Sequence, residues 1–146
     1  MQLSTLLKLI RFWPPFWGAG ISVREFNKDY SRITVQLKMR FWNKNYVGSH
    51  YGGSLYSMTD PFYMLMLMKA LGREYIVWDK FGTIRYKKPA HGKVFAEFEL
   101  SSEQVKMIKQ QADENEKSEP VFEIKIVDSS GTIVAEIVKT LYVKRK

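Results

Sequence analysis

Cysteine is absent from the 146 residues, and histidine occurs twice, at His50 and His91. The first absence excludes disulfides, thiolate metal sites and cysteine nucleophiles. The second leaves two imidazoles in separate segments without Asp or Glu at ligand spacing, so no structural or catalytic metal is expected. Acidic residues are also scarce, with 15 Asp+Glu against 23 Lys+Arg and a net charge of +8. That balance favours anionic partners such as phosphorylated cofactors, lipid headgroups or nucleic acid, without choosing among them. The cations are scattered over Lys38/Arg40, Arg85/Lys87/Lys88 and Lys144-Arg145-Lys146, on no long basic helix and in no RNA-binding signature, so nucleic acid ranks last. No segment reaches the ~20 apolar residues that span a bilayer. The apolar stretch Leu3 to Ile10 is interrupted by Lys8 and followed by Arg11 and Trp13-Pro14-Pro15, which argues against a secretory leader. The expected location is the cytoplasm.

What is present suits one core: 45% of residues are hydrophobic and 14% aromatic, enough for a single domain over residues 1–146. Leu3, Leu6, Leu7 and Ile10 recur at helical spacing, and the first proline after Trp13 stops that helix. Strand-like runs follow at Ile21–Phe26 and Arg32–Phe41, the latter with Ile33, Val35, Leu37 and Met39 on one face. Pro61 to Met68 is apolar in every direction around a helix, which predicts an element enclosed on all sides, and Lys69 and Gly72 end it. Four more strands are expected at Tyr75–Pro89, Lys93–Leu100, Pro120–Asp128 and Thr132–Lys144. Ser129-Ser130-Gly131 and Pro89-Ala90-His91-Gly92 read as the turns joining them in pairs. A surface helix over Ser101–Glu116 opens with Ser-Ser-Glu-Gln. The whole predicts an α+β architecture.

The chemistry concentrates in Asn45-Tyr46-Val47-Gly48-Ser49-His50-Tyr51-Gly52-Gly53, with Asp60 seven residues beyond. Asp60 before Pro61 has two readings: an N-cap with proline at N1, or a carboxylate facing substrate from a longer helix that tolerates Pro61 at about 3 kcal/mol. The glycines are either a tight turn or a backbone that a ligand can approach, and Asn45 either braces that loop or touches substrate. Ser57 follows His50 without an acidic third member, so a Ser-His-Asp triad is not formed, though its hydroxyl lies near the site. Met58, Met64, Met66 and Met68 read first as core filler. Thr83, Arg85 and Lys87 share a strand face, a row able to meet phosphate.

The segment Asn45-x-x-Gly48-x-His50-Tyr51-Gly52-Gly53-x6-Asp60 resembles the helix-entry motif of hotdog-fold acyl-CoA thioesterases of the phenylacetate-pathway type. The chain is similar over nearly its whole length to a thioesterase-like branch of that superfamily, domain of unknown function 4442. Trp13-Pro14-Pro15, Gly18-Ala19-Gly20-Ile21, Asn45-Tyr46-Val47-Gly48, Met58-Thr59-Asp60-Pro61-Phe62, Leu71-Gly72, Tyr75-Ile76-Val77-Trp78-Asp79-Lys80 and Lys139-Thr140-Leu141-Tyr142-Val143 carry the likeness. It implies a hotdog fold in which a curled antiparallel sheet wraps one long central helix, preceded by a short N-terminal helix. It also implies a homodimer, or a dimer of dimers, with sheets paired edge to edge. The substrate class would be an acyl thioester of coenzyme A or acyl carrier protein, with no other cofactor. Asp60 would act as general base or nucleophile, and Gly52 or Gly53 would supply an oxyanion-holding amide beside Asn45. His50, Tyr51, Ser57, Arg85 and Lys87 would meet the substrate. Alignment on the Gly-Gly pair sets Tyr51 where those enzymes have His, which leaves a non-catalytic acyl- or small-molecule-binding module as the alternative.

Overall fold

The computed structural model describes residues 1–146. Helix α1 (Leu3–Leu9) runs into a 3-10 turn (Ile10–Phe12) and ends before the prolines, as their chemistry requires. A second short helix, α2 (Pro14–Ala19), then starts on the prolines themselves. Trp13 is extended (φ −63°, ψ 125°), as a residue before proline prefers, and Pro14 and Pro15 fall in the first turn, where no N–H is needed. Gly20 ends α2 in the left-handed region at φ +82°.

The strands are β1 (Ile21–Phe26), β2 (Arg32–Leu37), β3 (Tyr75–Tyr86), β4 (Val94–Glu99), β5 (Val121–Asp128) and β6 (Ile133–Arg145). All six join one antiparallel sheet in the order β1-β2-β4-β5-β6-β3. Ser129-Ser130-Gly131 is a hairpin turn, with Asp128 Oδ1 accepting from the N–H groups of Ser130 and Thr132. The segment 87–93 is not. Because β3 and β4 are separated by β6 and β5, Pro89-Ala90-His91-Gly92 crosses the end of that hairpin instead of closing one. Lys87 and Lys88 donate backbone N–H groups to Val134 O during the crossing.

Two features of the expected architecture are corrected. The sheet does not curl closed, since its order is linear and leaves β1 and β3 as free edges. Nor is there one long central helix, since residues 52–71 form α3 (Gly52–Ser57) and α4 (Phe62–Leu71), broken at 58–61. The break follows from Pro61, which has no N–H and whose ring would strike the carbonyl of Ser57 in a continuous helix. Ser57 O accepts the Asp60 N–H at 3.1 Å instead, and α4 restarts when Pro61 O accepts from Leu65. Pro61 is the N-cap and Asp60 caps nothing. No helix is long and apolar enough to cross a membrane.

Helix α4 packs its Phe62 on Phe98 of β4 (5.1 Å between ring centroids) and its Tyr63 on Phe122 of β5 (3.9 Å). Its opposite side is open: Met68 is exposed and Met64 and Leu65 half-buried, so the helix is not enclosed all round. Met58 and Met66 are core residues. Phe16 of α2 seats on Phe62 and ties the N-terminal helices to the core. The surface helix α5 (Ser102–Glu114) is set by a reciprocal cap, in which Ser101 Oγ accepts from Gln104 N–H and Gln104 Oε1 accepts from Ser101 N–H.

At Gly20 a Cβ would lie 2.6 Å from Lys38 O and 2.8 Å from Asn43 Nδ2, the amide that bridges Ala19 O and Lys38 O. Gly20→Ala is expected to cost about 3 kcal/mol, combining left-handed strain with the disturbed bridge. Urea denaturation measures it; a loss under half that size would show that the loop yields freely.

Candidate functional site

Two groups of polar residues lie at opposite ends of α3. At its start, the loop of residues 44–51 is folded on Asn45, whose Nδ2 donates to Ser49 Oγ at 2.8 Å and His50 O at 3.3 Å while Oδ1 accepts from Ser49 N–H at 2.9 Å. His50, only 4% exposed, points Nε2 at Gly92 O at 2.6 Å. A carbonyl can only accept, so Nε2 carries the proton and Nδ1 is left buried with no partner. Burial depresses the His50 pKa, with the Gly92 carbonyl opposing and nearby His91 adding to the effect.

Tyr51 is the exposed N-cap of α3. A Cβ at Gly53 would overlap the Tyr51 ring, and one at Gly52 would approach the Tyr86 hydroxyl to 2.8 Å. The two glycines therefore let two tyrosines lie over the helix entry, and the N–H groups of both glycines have no backbone acceptor. A cavity of about 580 Å³ opens here, lined among others by Asn45, His50, Tyr51, Gly52, Gly53 and Lys87. Six of the nine candidate residues are thus brought together. A larger groove of about 910 Å³ between α1 and α4 contains none of them.

Asp60, Ser57 and Arg85 lie elsewhere. Ser57 Oγ is engaged with Gly53 O at 2.8 Å inside α3. Arg85 is exposed on the outer face of β3, on the side of Thr83 and Lys87, and Lys87 approaches Glu136 to 4.0 Å.

Asp60 belongs to the second group, which sequence reasoning did not assemble. Lys139 of β6 is 1% exposed, and its ammonium donates to the carbonyls of Thr59 and Asp60. It also pairs with Asp79 Oδ1 at 2.9 Å and lies 3.7 Å from Asp60 Oδ1. The Asp79 contact is too oblique to be a directed hydrogen bond, which leaves an ion pair whose buried oxygen has no true donor. Burial accordingly raises the Asp79 pKa, although Lys139 pulls it down and Asp60 pushes it further up.

Gly82 is the Cα partner of Lys139, and Tyr56 reaches across it to complete the group. Burial raises the Tyr56 pKa, and the charges of Asp60 and Asp79 add to it. A bulge between Asp79 and Phe81 resets the strand so that Asp79 and Gly82 both face the helices. The Asp60 carboxylate itself is 56% exposed. The signal for Lys139 was in the sequence: it occupies the core-facing register of Ile137, Leu141 and Val143, where a lysine needs partners. No three His, Asp or Glu side chains are placed to hold a metal ion.

His50 makes a pH prediction. Its depressed folded pKa means that the unfolded chain binds the proton more readily, so its contribution is full above an unfolded value of about 6.5 and falls away at lower pH. Stability measured from about pH 7.5 to pH 5.5 should decline, and His50→Gln should flatten that slope. An unchanged slope in the variant would assign the decline to other groups.

The chain belongs to the family described as a domain of unknown function (DUF4442), whose profile matches residues 3–143. Its hotdog fold is shared by several solved structures. A Pseudomonas aeruginosa protein of unknown function, described as a probable thioesterase, superimposes with a TM-score of 0.86 at 19% identity, covering 99% of this chain and 97% of that one. A Chlorobaculum tepidum protein of unknown function gives 0.78 at 13% identity, covering 99% and 95%. A Haemophilus influenzae thioesterase gives 0.71 at 16% identity, covering 99% and 92%. No curated protein matches the chain.

Proposed function

We propose that the protein hydrolyses an acyl thioester of coenzyme A or acyl carrier protein, as a homodimer paired through β3. The observation that carries this reading is the distribution of parts along that strand. The Asp60–Lys139–Asp79 group lies near its first half, and Gly52, Gly53 and their cavity lie near its end at Tyr86. Strand β3 is a twelve-residue edge that leaves Ile76, Trp78 and Phe81 exposed, and such an edge seeks a partner. Antiparallel pairing of β3 with its copy sets the Asp79 end of one strand beside the Tyr86 end of the other. Asp60 of the partner subunit then approaches the Gly52–Gly53 amides.

Across that interface the chemistry is short. The carbonyl oxygen of the thioester takes hydrogen bonds from the free glycine amides, which stabilise the negative charge that develops on attack. Asp60 accepts a proton from the attacking water and the thiolate leaves, or Asp60 attacks directly, expelling the thiolate to form a mixed anhydride that water then hydrolyses. Lys87 at the cavity rim and Arg85 on the outer strand face are the cations available to the carrier phosphates.

The second reading, a module that binds acyl groups without cleaving them, is favoured by one observation. Asn45 directs its side chain into its own loop and His50 directs its ring at Gly92 O, so neither is turned towards a substrate, and Tyr51 occupies the position of the histidine in the related motif. Steady-state hydrolysis of a panel of acyl-CoA thioesters, from short aliphatic to long and aromatic, separates the two. Turnover that is lost in Asp60→Asn supports the hydrolase. Tight acyl-CoA binding with no turnover in either protein would leave only the binding module.

A further inference from the structure

Helix α2 turns its aromatic side outward. Phe16 is buried, while Trp17 is 63% exposed and Phe12 and Trp13 stand beside it in the open. Trp42, from the segment after β2, stacks on Trp17 at 6.2 Å, and Phe41 packs edge-on to Trp42 at 5.0 Å while remaining 85% exposed. The indole N–H of Trp42 donates to Gly18 O, so its one polar atom is already satisfied within the chain. Arg11, Lys38 and Arg40 line one groove with Phe12, Trp17 and Trp42.

The charge lining this groove is of one sign, from Arg11, Lys38 and Arg40 with no acid among the lining residues. Residues 1–59 hold eight Lys and Arg against two acids, Glu25 and Asp29, whereas residues 60–146 hold fifteen against thirteen. Most of the chain's net charge therefore lies in the part that presents the aromatic patch.

We propose that this face docks the protein onto an anionic lipid bilayer, as a peripheral contact of α2 and residues 38–42. Tryptophan and phenylalanine suit the headgroup boundary, and lysine and arginine at its rim are drawn to acidic lipid. A second copy of the chain is a poorer occupant, because a two-fold contact would set Arg11, Lys38 and Arg40 against themselves. Nucleic acid is poorer too, because Trp17 and Trp42 each spend one face on the other, which reduces what is available for stacking bases.

Sedimentation of the full chain with vesicles tests this. Binding is expected to equal parts of phosphatidylcholine and phosphatidylglycerol, to weaken with added salt, and to be much weaker on phosphatidylcholine alone. Tryptophan emission should shift to the blue on binding, since Trp13, Trp17 and Trp42 lie on the face. Trp17→Ala/Trp42→Ala should abolish binding with the thermal midpoint retained. Arg11→Gln/Lys38→Gln/Arg40→Gln, which keeps the aromatics, should weaken it about 100-fold. Failure to bind either vesicle overturns the proposal, as does binding that both variants preserve. A tryptophan variant that loses an oligomeric state would assign the face to a second copy. Oligonucleotide that binds at this face and displaces the vesicles would assign it to nucleic acid.

Discussion

Asp60→Asn is expected to lower kcat for the preferred acyl thioester by about 10²–10⁴-fold, the range over which a positioned general base acts, with little change in stability. The second half of that expectation comes from geometry. The carboxylate is more than half exposed, accepts no hydrogen bond, caps no helix and approaches Lys139 only to 3.7 Å, whereas the contacts that hold its backbone involve the carbonyl that asparagine retains. A helix-capping role would give the opposite pattern, a lost cap worth about 1 kcal/mol and intact turnover. Thioester hydrolysis and thermal unfolding measured on the same preparations distinguish the two. If kcat is unchanged, Asp60 does not act in the reaction.

Lys139→Ala is expected to cost 3–5 kcal/mol, the usual penalty for leaving one member of a buried pair without its partner, out of a total stability of about 5–15 kcal/mol for a domain. Three groups lose their partner at once: the Asp79 carboxylate its counter-charge, and the carbonyls of Thr59 and Asp60 their donor. The loss should depend on pH in a definite direction. Asp79 already has its folded pKa raised, and without Lys139 the rise is larger. A carboxyl raised on folding favours the folded state at low pH and loses that contribution as pH climbs through its folded value, so the variant should be weakest near about pH 7 and recover towards pH 5. Lys139→Met/Asp79→Leu, which removes both charges, should recover most of the stability. Urea denaturation of both variants at the two pH values measures this. Equal weakness of the single variant at both would mean that the lost carbonyl contacts outweigh the stranded carboxylate.

The elements that were legible in the sequence were set by local rules. The alternation of Ile33, Val35 and Leu37, and of Val94, Ala96 and Phe98, located two strands and their buried faces. Ser101 and Gln104 announced α5 by the cap they form, and Lys69 and Gly72 ended α4 where expected. What was not legible depended on distant parts of the chain. The crossing at 87–93 follows from β6 lying between β5 and β3, an arrangement that Pro89-Ala90-His91-Gly92 does not encode. Asp60-Pro61 allows either a helix that starts afresh or a longer one that tolerates the proline, and the lysine on another strand that takes the Thr59 and Asp60 carbonyls at the break is not visible locally.

The same division runs through the candidate site. The loop from Asn45 to Gly53 was visible because glycine, asparagine and histidine crowd one short stretch. The Asp60 environment was half visible, because Asp79 and Lys139 are remote in sequence and meet it only through the pairing of β3 with β6.

That the carbonyls at the helix break are held from β6 has a consequence for the order in which the molecule assembles. Strand β6, which follows the other five along the chain, is an interior member of the sheet, the one through which β3 joins the others. Until it docks, β3 has no neighbour and the junction between α3 and α4 has no donor. The β1–β2 hairpin can therefore form early, but the region that carries Asp60 takes shape only when β6 docks.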